Sequence, residues 1–122
     1  MITIIERPEM IIIEYRGKTV TDLEQKTVLE DVARLIKRNN KVVSILSDTG
    51  DTELTGIQRK MSAEWFKDGG IIPLIKSFAV VIHSAIQRGL VTAIIWLAPK
   101  LPIPVKIFND VASATKWIKE RK

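Results

Sequence analysis

The chain has 122 residues, with 19 basic and 14 acidic side chains, one histidine and no cysteine. That length suits one domain, which can bury roughly two-thirds of the surface its unfolded form exposes and needs no covalent staples. The missing cysteines exclude a disulfide framework, thiolate metal sites and a cysteine nucleophile, and a lone histidine excludes a multi-histidine metal centre.

In chain order, Ile2 to Ile5 is a short apolar run ended by Glu6-Arg7-Pro8-Glu9, which predicts a strand and a turn. Met10 to Arg16, rich in β-branched residues and ending at Gly17, predicts the antiparallel partner strand. Thr21-Asp22-Leu23-Glu24 has the form of a capping box, in which hydroxyl and carboxylate reciprocally satisfy free N–H groups at a helix start. Val28, Val32, Leu35 and Ile36 follow at helical spacing as far as Asn39-Asn40. Lys41 to Asp48 then reads as a buried parallel strand, and residues 49–56 as a polar loop.

Thr55 and Gln58 form a second capping pair, and Ile57, Met61 and Trp65 make one stripe of the helix that follows, which Gly69-Gly70 ends. Ile71 to Lys76, with Pro73 inside it, is expected to be a short helical turn. Phe78 to His83 is a further buried strand, and residues 85–98 form a helix stopped by Pro99, Pro102 and Pro104. Val105 to Phe108 is the last strand. Asn109 or Asp110 caps a final helix that turns Val111, Ala114, Trp117 and Ile118 inward. The order β-β-α-β-α-β-α-β-α predicts a single α/β domain over residues 1–122. Its mixed, largely parallel sheet has four or five strands, an antiparallel edge hairpin and helices packed against it.

No basic stretch precedes a long apolar core, and the apolar runs fall short of the roughly 20 residues that span a bilayer, so a cytoplasmic location is expected. Charge is divided unevenly: residues 1–68 hold 11 basic and 12 acidic side chains, whereas residues 69–122 hold 8 basic and 2 acidic. The basic excess suits phosphate, anionic lipid or an acidic partner, or is simply a solvated surface. Lys76, Arg88, Lys100 and Lys106 are too widely spaced for a nucleic-acid tract, so nucleic acid is not an expected partner.

Several segments together resemble a known family. They are the edge strand ITII, the strand end Tyr15-Arg16-Gly17-Lys18, the Thr-x-x-Glu helix start, the apolar strand ILSD, the strand AVVIHS and the ending IFNDVASATKWI. In this order they resemble the small bacterial STAS-type proteins, named for sulphate transporters and anti-sigma-factor antagonists, and above all the stand-alone SpoIIAA-like branch, also described as STAS/SEC14-like. The resemblance implies a non-enzymatic regulatory module that binds a protein partner. Phosphorylatable antagonists of this type carry an Asp-Ser-Ser-Gly-Leu turn at a helix start. Here the nearest match is Glu53-Leu54-Thr55-Gly56-Ile57, with Thr55 standing where the modified serine would and Leu54 replacing the other serine. A phosphate on Thr55 would add about −2 charge at a helix N-terminus. Read from the residues alone, Thr55 is a helix cap. The resemblance makes Thr55, Gly56, Asp48, Asp51 and Glu53 the candidate modification or partner-contact residues.

His83 ends a strand, where α/β proteins place ligand sites, and can pair with Asp48 beside Ser47 or Ser84 as a nucleophile. No Gly-x-Ser-x-Gly elbow supports a hydrolase, so no catalytic residue is assigned. Asp48, Asp51 and Glu53 cluster in one loop, but not at EF-hand spacing, and Gly-rich phosphate signatures are absent. No metal or cofactor is expected. The helix over residues 85–98 is more apolar than one sheet face can readily cover. Arg88, Leu90, Val91, Ile94, Ile95, Trp96, Leu97 and Lys100 are therefore the candidate surface for a homodimer, a protein partner, a lipid or other apolar ligand, or a membrane.

Overall fold

Helix α1 (Asp22–Asn39) begins at the capping box expected of it. Thr21 Oγ1 accepts from the Glu24 amide, and Glu24 Oε1 accepts from the Thr21 amide, each at 3.0 Å. It ends at Asn40, which takes the left-handed conformation at φ 48°. The structure, a computed structural model, describes residues 1–68, 70–97 and 103–120, with side chains at all of these except 68 and 93–97.

The sheet has five strands in the spatial order of the sequence: β1 (Ile2–Glu6), β2 (Met10–Tyr15), β3 (Val43–Gly50), β4 (Ile75–Ile82) and β5 (Val105–Phe108). β1 and β2 form the antiparallel edge hairpin, with Ile4 opposite Ile13, and the other three pairings are parallel. α2 (Gly56–Asp68) connects β3 to β4 through a 3₁₀ turn (Ile72–Leu74) built around Pro73, in the segment where a helical turn was expected. α3 (Ala85–Leu97) connects β4 to β5, and α4 (Val111–Glu120) closes the chain. Asp110, not Asn109, caps α4, accepting from the Ser113 amide at 2.7 Å.

Successive side chains of a strand point to opposite faces, and β3 at the centre of the sheet is buried on both. Ile45 faces a cluster with Ile11 and Ile13 of β2, Val28, Val32 and Ile36 of α1, and Phe66 of α2. Leu46 faces the other cluster, with Ala79 and Val81 of β4 and Ala114 and Ile118 of α4. Each fully buried valine, leucine or isoleucine among them contributes about 1.5–3 kcal/mol, and the alanines less. α1 and α2 thus cover one face and α4 the other. Arg59 Nη1 of α2 reaches Gln87 Oε1 of α3 at 3.4 Å, so these two helices start side by side.

A buried polar thread ties the first layer together. Tyr15 Oη donates to Gln25 Oε1 at 2.8 Å, and Gln25 Nε2 donates to Ser62 Oγ at 2.6 Å. Burial pushes the Tyr15 phenol up to about 12, although its bond to Gln25 pulls the other way.

Three expectations are corrected. Strand β4 runs Ile75–Ile82, starting three residues before Phe78 inside the expected turn, because Ile75 is buried and already pairs with Val43 of β3. Strand β3 starts two residues later than Lys41 and runs two past Asp48, because Thr49 Oγ1 donates to the Val81 carbonyl and Gly50 still pairs with Ile82 beyond a bulge. Ile57 does not join the inward stripe of Met61 and Trp65, but stands 66% exposed at the first turn of α2. The inward position there belongs to Gln58, which is 2% exposed.

Candidate functional site

Parallel strands that share a direction bring their C-terminal ends, and the helix starts that follow, to one edge of the sheet. At that edge, β3 and β4 end beside each other. Gly50 at the end of β3 with Asp51, Thr52 and Glu53 after it, and Ile82 at the end of β4 with His83, Ser84 and Gln87 leading into α3, line a cleft of about 260 Å³.

The loop between β3 and α2 is firmly held from beneath. Thr52, 4% exposed, donates through Oγ1 to the Gly17 carbonyl at 2.6 Å, and the Glu53 amide donates to the Lys18 carbonyl at 2.8 Å. Gly50 makes the turn at φ +52°, a conformation that L side chains rarely adopt. Its carbonyl accepts from the His83 amide at 3.0 Å. On the outer side, His83 Nδ1 lies 3.0 Å from Asp51 Oδ1, and the Asp51 side chain is 88% exposed.

Thr55 ends the loop as the N-cap of α2. Its Oγ1 accepts from the Gln58 amide and its own amide donates to Gln58 Oε1, both at 3.1 Å. Gln58 Nε2 donates onward to the Val20 carbonyl at 2.8 Å and to Asp22 Oδ1 at 2.9 Å. The cap residue is exposed while its partner is locked into the core, so Thr55, Gly56 and Ile57 are presented on a rigid base.

Asp48 lies beneath this surface at 7% exposure, opposite Glu14 in the β2–β3 register. Its Oδ1 has no hydrogen-bond partner among the described residues. Burial pushes its carboxyl above the ordinary carboxylate range. Nearby Arg16, His83 and the Gly50 amide pull it back, and Glu14 adds to the rise. Arg16 is itself paired with Glu14 at 2.6 Å. Asp110, across the edge, is held below its usual range by the Ser113 amide and hydroxyl.

The structure therefore gathers Asp48, Asp51, Glu53, Thr55 and Gly56 at one edge, together with His83 and Ser84. The histidine's hydrogen-bonded carboxylate is Asp51, not the Asp48 that strand order suggested. Ser47 is buried at 7% exposure, and Ser84 Oγ accepts from the Gln87 amide at 3.3 Å at the start of α3. Among the described residues no group of three His, Asp or Glu side chains is arranged to hold a metal ion.

Arg88 is placed differently from an outward-facing cation. Its Nη1 donates to the carbonyls of Ile82 and His83 at 2.8 and 2.7 Å, fastening α3 to the end of β4. Leu90 is 42% exposed and Val91 partly buried. The side chains of Ile94, Ile95, Trp96 and Leu97, and the whole of Lys100, lie outside the described residues. Among the described residues no helix is long and apolar enough to cross a membrane. Sequence reasoning missed the bridging role of Arg59, which joins the Leu54 carbonyl at 2.6 Å to Gln87. No spacing rule identifies such a contact.

No family model matches the chain. No curated protein matches its sequence. In structure it is similar to a crystal structure from Shewanella loihica PV-4, described as an uncharacterized protein from the DUF3478 family with a SpoIIAA-like fold. The likeness covers 97% of this chain and 92% of that one, at 12% sequence identity and a TM-score of 0.63. It establishes the fold as SpoIIAA-like, a mixed α/β sheet with one antiparallel pair, and extends over nearly the whole chain.

Proposed function

We propose that this protein is a non-enzymatic, STAS-like regulatory interaction module whose partner reads residues 51–57. The observation that carries this reading is the contrast at the start of α2. Thr55, Gly56 and Ile57 are exposed, yet they are held by a cap whose other half, Gln58, is buried and fully bonded. Binding surfaces gain affinity when the contact residues are ordered before the partner arrives. An exposed isoleucine that closely follows the exposed Asp51 and Glu53 in sequence suits a partner that offers an apolar pocket with basic residues at its rim. A phosphate on Thr55 would place charge at the same spot and compete for the Gln58 amide, which makes it a natural means of switching such a contact.

The reading gives His83, Ser47 and Ser84 no catalytic step. Its support is that Ser47 is buried and the Ser84 hydroxyl is engaged at the α3 start.

The test begins with a photo-crosslinking amino acid in place of Ile57, used in extract of the source cells to find the partner. Titration of the purified pair then compares Ile57→Glu with Leu23→Glu, a change at an equally exposed apolar position on α1, where Leu23 is 72% exposed. Loss of affinity by a factor of ten or more in the first variant alone is expected, about 1.4 kcal/mol or more. Equal affinities in both variants would remove the loop from the interface.

A second reading, an apolar-ligand or membrane-surface protein acting through α3, is favoured by one observation. Residues 85–92 include Ile86 at 77% and Leu90 at 42% exposure, and none of them is buried. Flotation with anionic lipid vesicles, and the mass of the native particle by light scattering, separate this reading from a homodimer and from a monomeric interaction module.

A further inference from the structure

Asp48 is a carboxyl group near the C-terminal end of the central strand, 7% exposed, with one oxygen that no described residue satisfies. Such groups are costly and tend to sit where function requires them. The Cβ that Gly50 lacks would stand 3.6 Å from Asp48 Oδ1, 3.7 Å from His83 Cε1 and 3.9 Å from His83 Nδ1. The absent side chain therefore leaves the imidazole and the unsatisfied oxygen facing one shared space. His83 meanwhile is bonded to Asp51, whose carboxylate is solvated and hence a weak anchor.

Charged groups from every neighbouring element bear on this space. Glu14 and Arg16 come from the β2 side and are paired with each other. Arg88 of α3 is committed to the carbonyls of Ile82 and His83. Asp110, at the start of α4, is within electrostatic range of His83 but is held by the Ser113 amide and hydroxyl. Asp51 closes the outer side, which leaves His83 as the group with two carboxyls to choose between.

We propose that Asp48 is a proton-linked switch for the loop above it, its protonation state deciding whether His83 holds Asp51 or turns to Asp48. With a proton on Asp48, the imidazole stays on Asp51 and ties the lip of the cleft to the end of β4. When that proton leaves to solvent, the buried carboxylate attracts the ring more strongly than the solvated one does, because charges interact more strongly where water is excluded. Asp51 is then released. Thr52 and Glu53 keep their bonds to the carbonyls of Gly17 and Lys18, so the change stays at the cleft lip and leaves the α2 cap in place.

This loop is the one the proposed function uses, but the test contains no partner, so its failure leaves that reading standing. Carboxyl and imidazole resonances of the full-length protein are followed by NMR between about pH 4 and about pH 8, spanning the reference range of both groups. Amide exchange at Asp51 and Thr52, divided by intrinsic rates, is measured over the same range. Asp48 is expected to titrate above the exposed aspartates, with a shift of the His83 resonances and several-fold faster exchange at Asp51 sharing its midpoint. Asp48→Asn should abolish that shared step. Asp51→Asn, at an exposed position, should leave His83 free for Asp48 and lower the Asp48 midpoint. Titration of Asp48 together with the exposed aspartates would overturn the proposal. So would a shared step that persists in Asp48→Asn, or an Asp48 midpoint unmoved by Asp51→Asn.

Discussion

Replacing Asp48 by Asn should stabilise the protein at neutral pH, the reverse of the usual result for a buried polar residue. The variant keeps the shape of the side chain and removes its charge. A buried acceptor without a donor costs about 1–3 kcal/mol, and a charged one more. Attraction from Arg16, His83 and the Gly50 amide offsets part of that cost, while repulsion from Glu14 adds to it. The asparagine amide also brings N–H groups, for which the Glu14 carboxylate opposite is an acceptor in register. A net gain of about 1 kcal/mol is expected, or about 4 °C in Tm for a domain of this length. The sign of the pH dependence follows from the direction of the shift. The carboxyl is raised on folding, so the native state binds the proton more tightly than the unfolded chain does. The contribution of Asp48 is therefore fully present below the ordinary carboxylate value of about 4 and is lost as pH rises through the folded value. Urea midpoints of both proteins, taken from about pH 7.5 down to about pH 3.5, should show the gap closing as Asp48 becomes protonated in the parent. A variant less stable than the parent at neutral pH, or a gap independent of pH, would refute the reasoning.

Gln58→Ala should destabilise by about 2–3 kcal/mol, because it leaves the Val20 carbonyl, Asp22 Oδ1 and the Thr55 amide without their donor or acceptor; urea unfolding measures it. Thr55→Ala removes only the outer half of the same cap and should cost about 1 kcal/mol, read from the same curves. Tyr15→Phe deletes the hydroxyl that serves Gln25 and should cost about 1–2 kcal/mol. It also removes a phenol raised to about 12, whose contribution to stability is lost only as pH rises through that value, so the difference from the parent should stay constant from pH 6 to 9.

The sheet and its helices were legible because their signals are local. Thr21 with Glu24 starts α1, β-branched runs mark the strands, and Pro73 marks the 3₁₀ turn; each acts within a few residues of itself. The strand-end site was legible in part for the same reason, since alternating strands and helices must bring Asp48 and His83 to one edge. What stayed hidden depends on contacts distant in sequence. Asp51 takes the histidine because Gly50 turns left-handed and continues pairing with Ile82 past a bulge, which carries Asp51 outward over the end of β4. Ile57 fits a helical stripe by spacing. The first turn of α2 nevertheless faces inward through Gln58, whose amide finds partners in the chain leading into α1. Periodicity cannot distinguish a buried glutamine with partners from an exposed one without them.

The uneven charge along the chain gains a different meaning in three dimensions. Asp51 and Glu53 come from the first, slightly acidic part, and His83, Ser84 and Gln87 from the second, basic part, yet they line the same cleft. Between Lys41 and Arg59 the chain carries Asp48, Asp51 and Glu53 and no basic residue. Among the cations from the neighbouring elements, Arg16 is engaged on Glu14, Arg59 on the Leu54 carbonyl and Gln87, and Arg88 on two backbone carbonyls. The lip of the cleft thus presents the exposed carboxylates of Asp51 and Glu53 on a protein of net charge +5, with the guanidinium groups of Arg59 and Arg88 turned to backbone carbonyls. Local charge, not net charge, governs an approaching surface once it lies within about 8–10 Å at physiological salt. A partner drawn to this protein's overall charge would be acidic, whereas one seated on the 51–57 loop must bring basic groups. Salt weakens both modes, so removing the loop acids is what distinguishes them. Binding at the loop should weaken as ionic strength rises, and Asp51→Asn with Glu53→Gln should remove most of that dependence while leaving the fold intact.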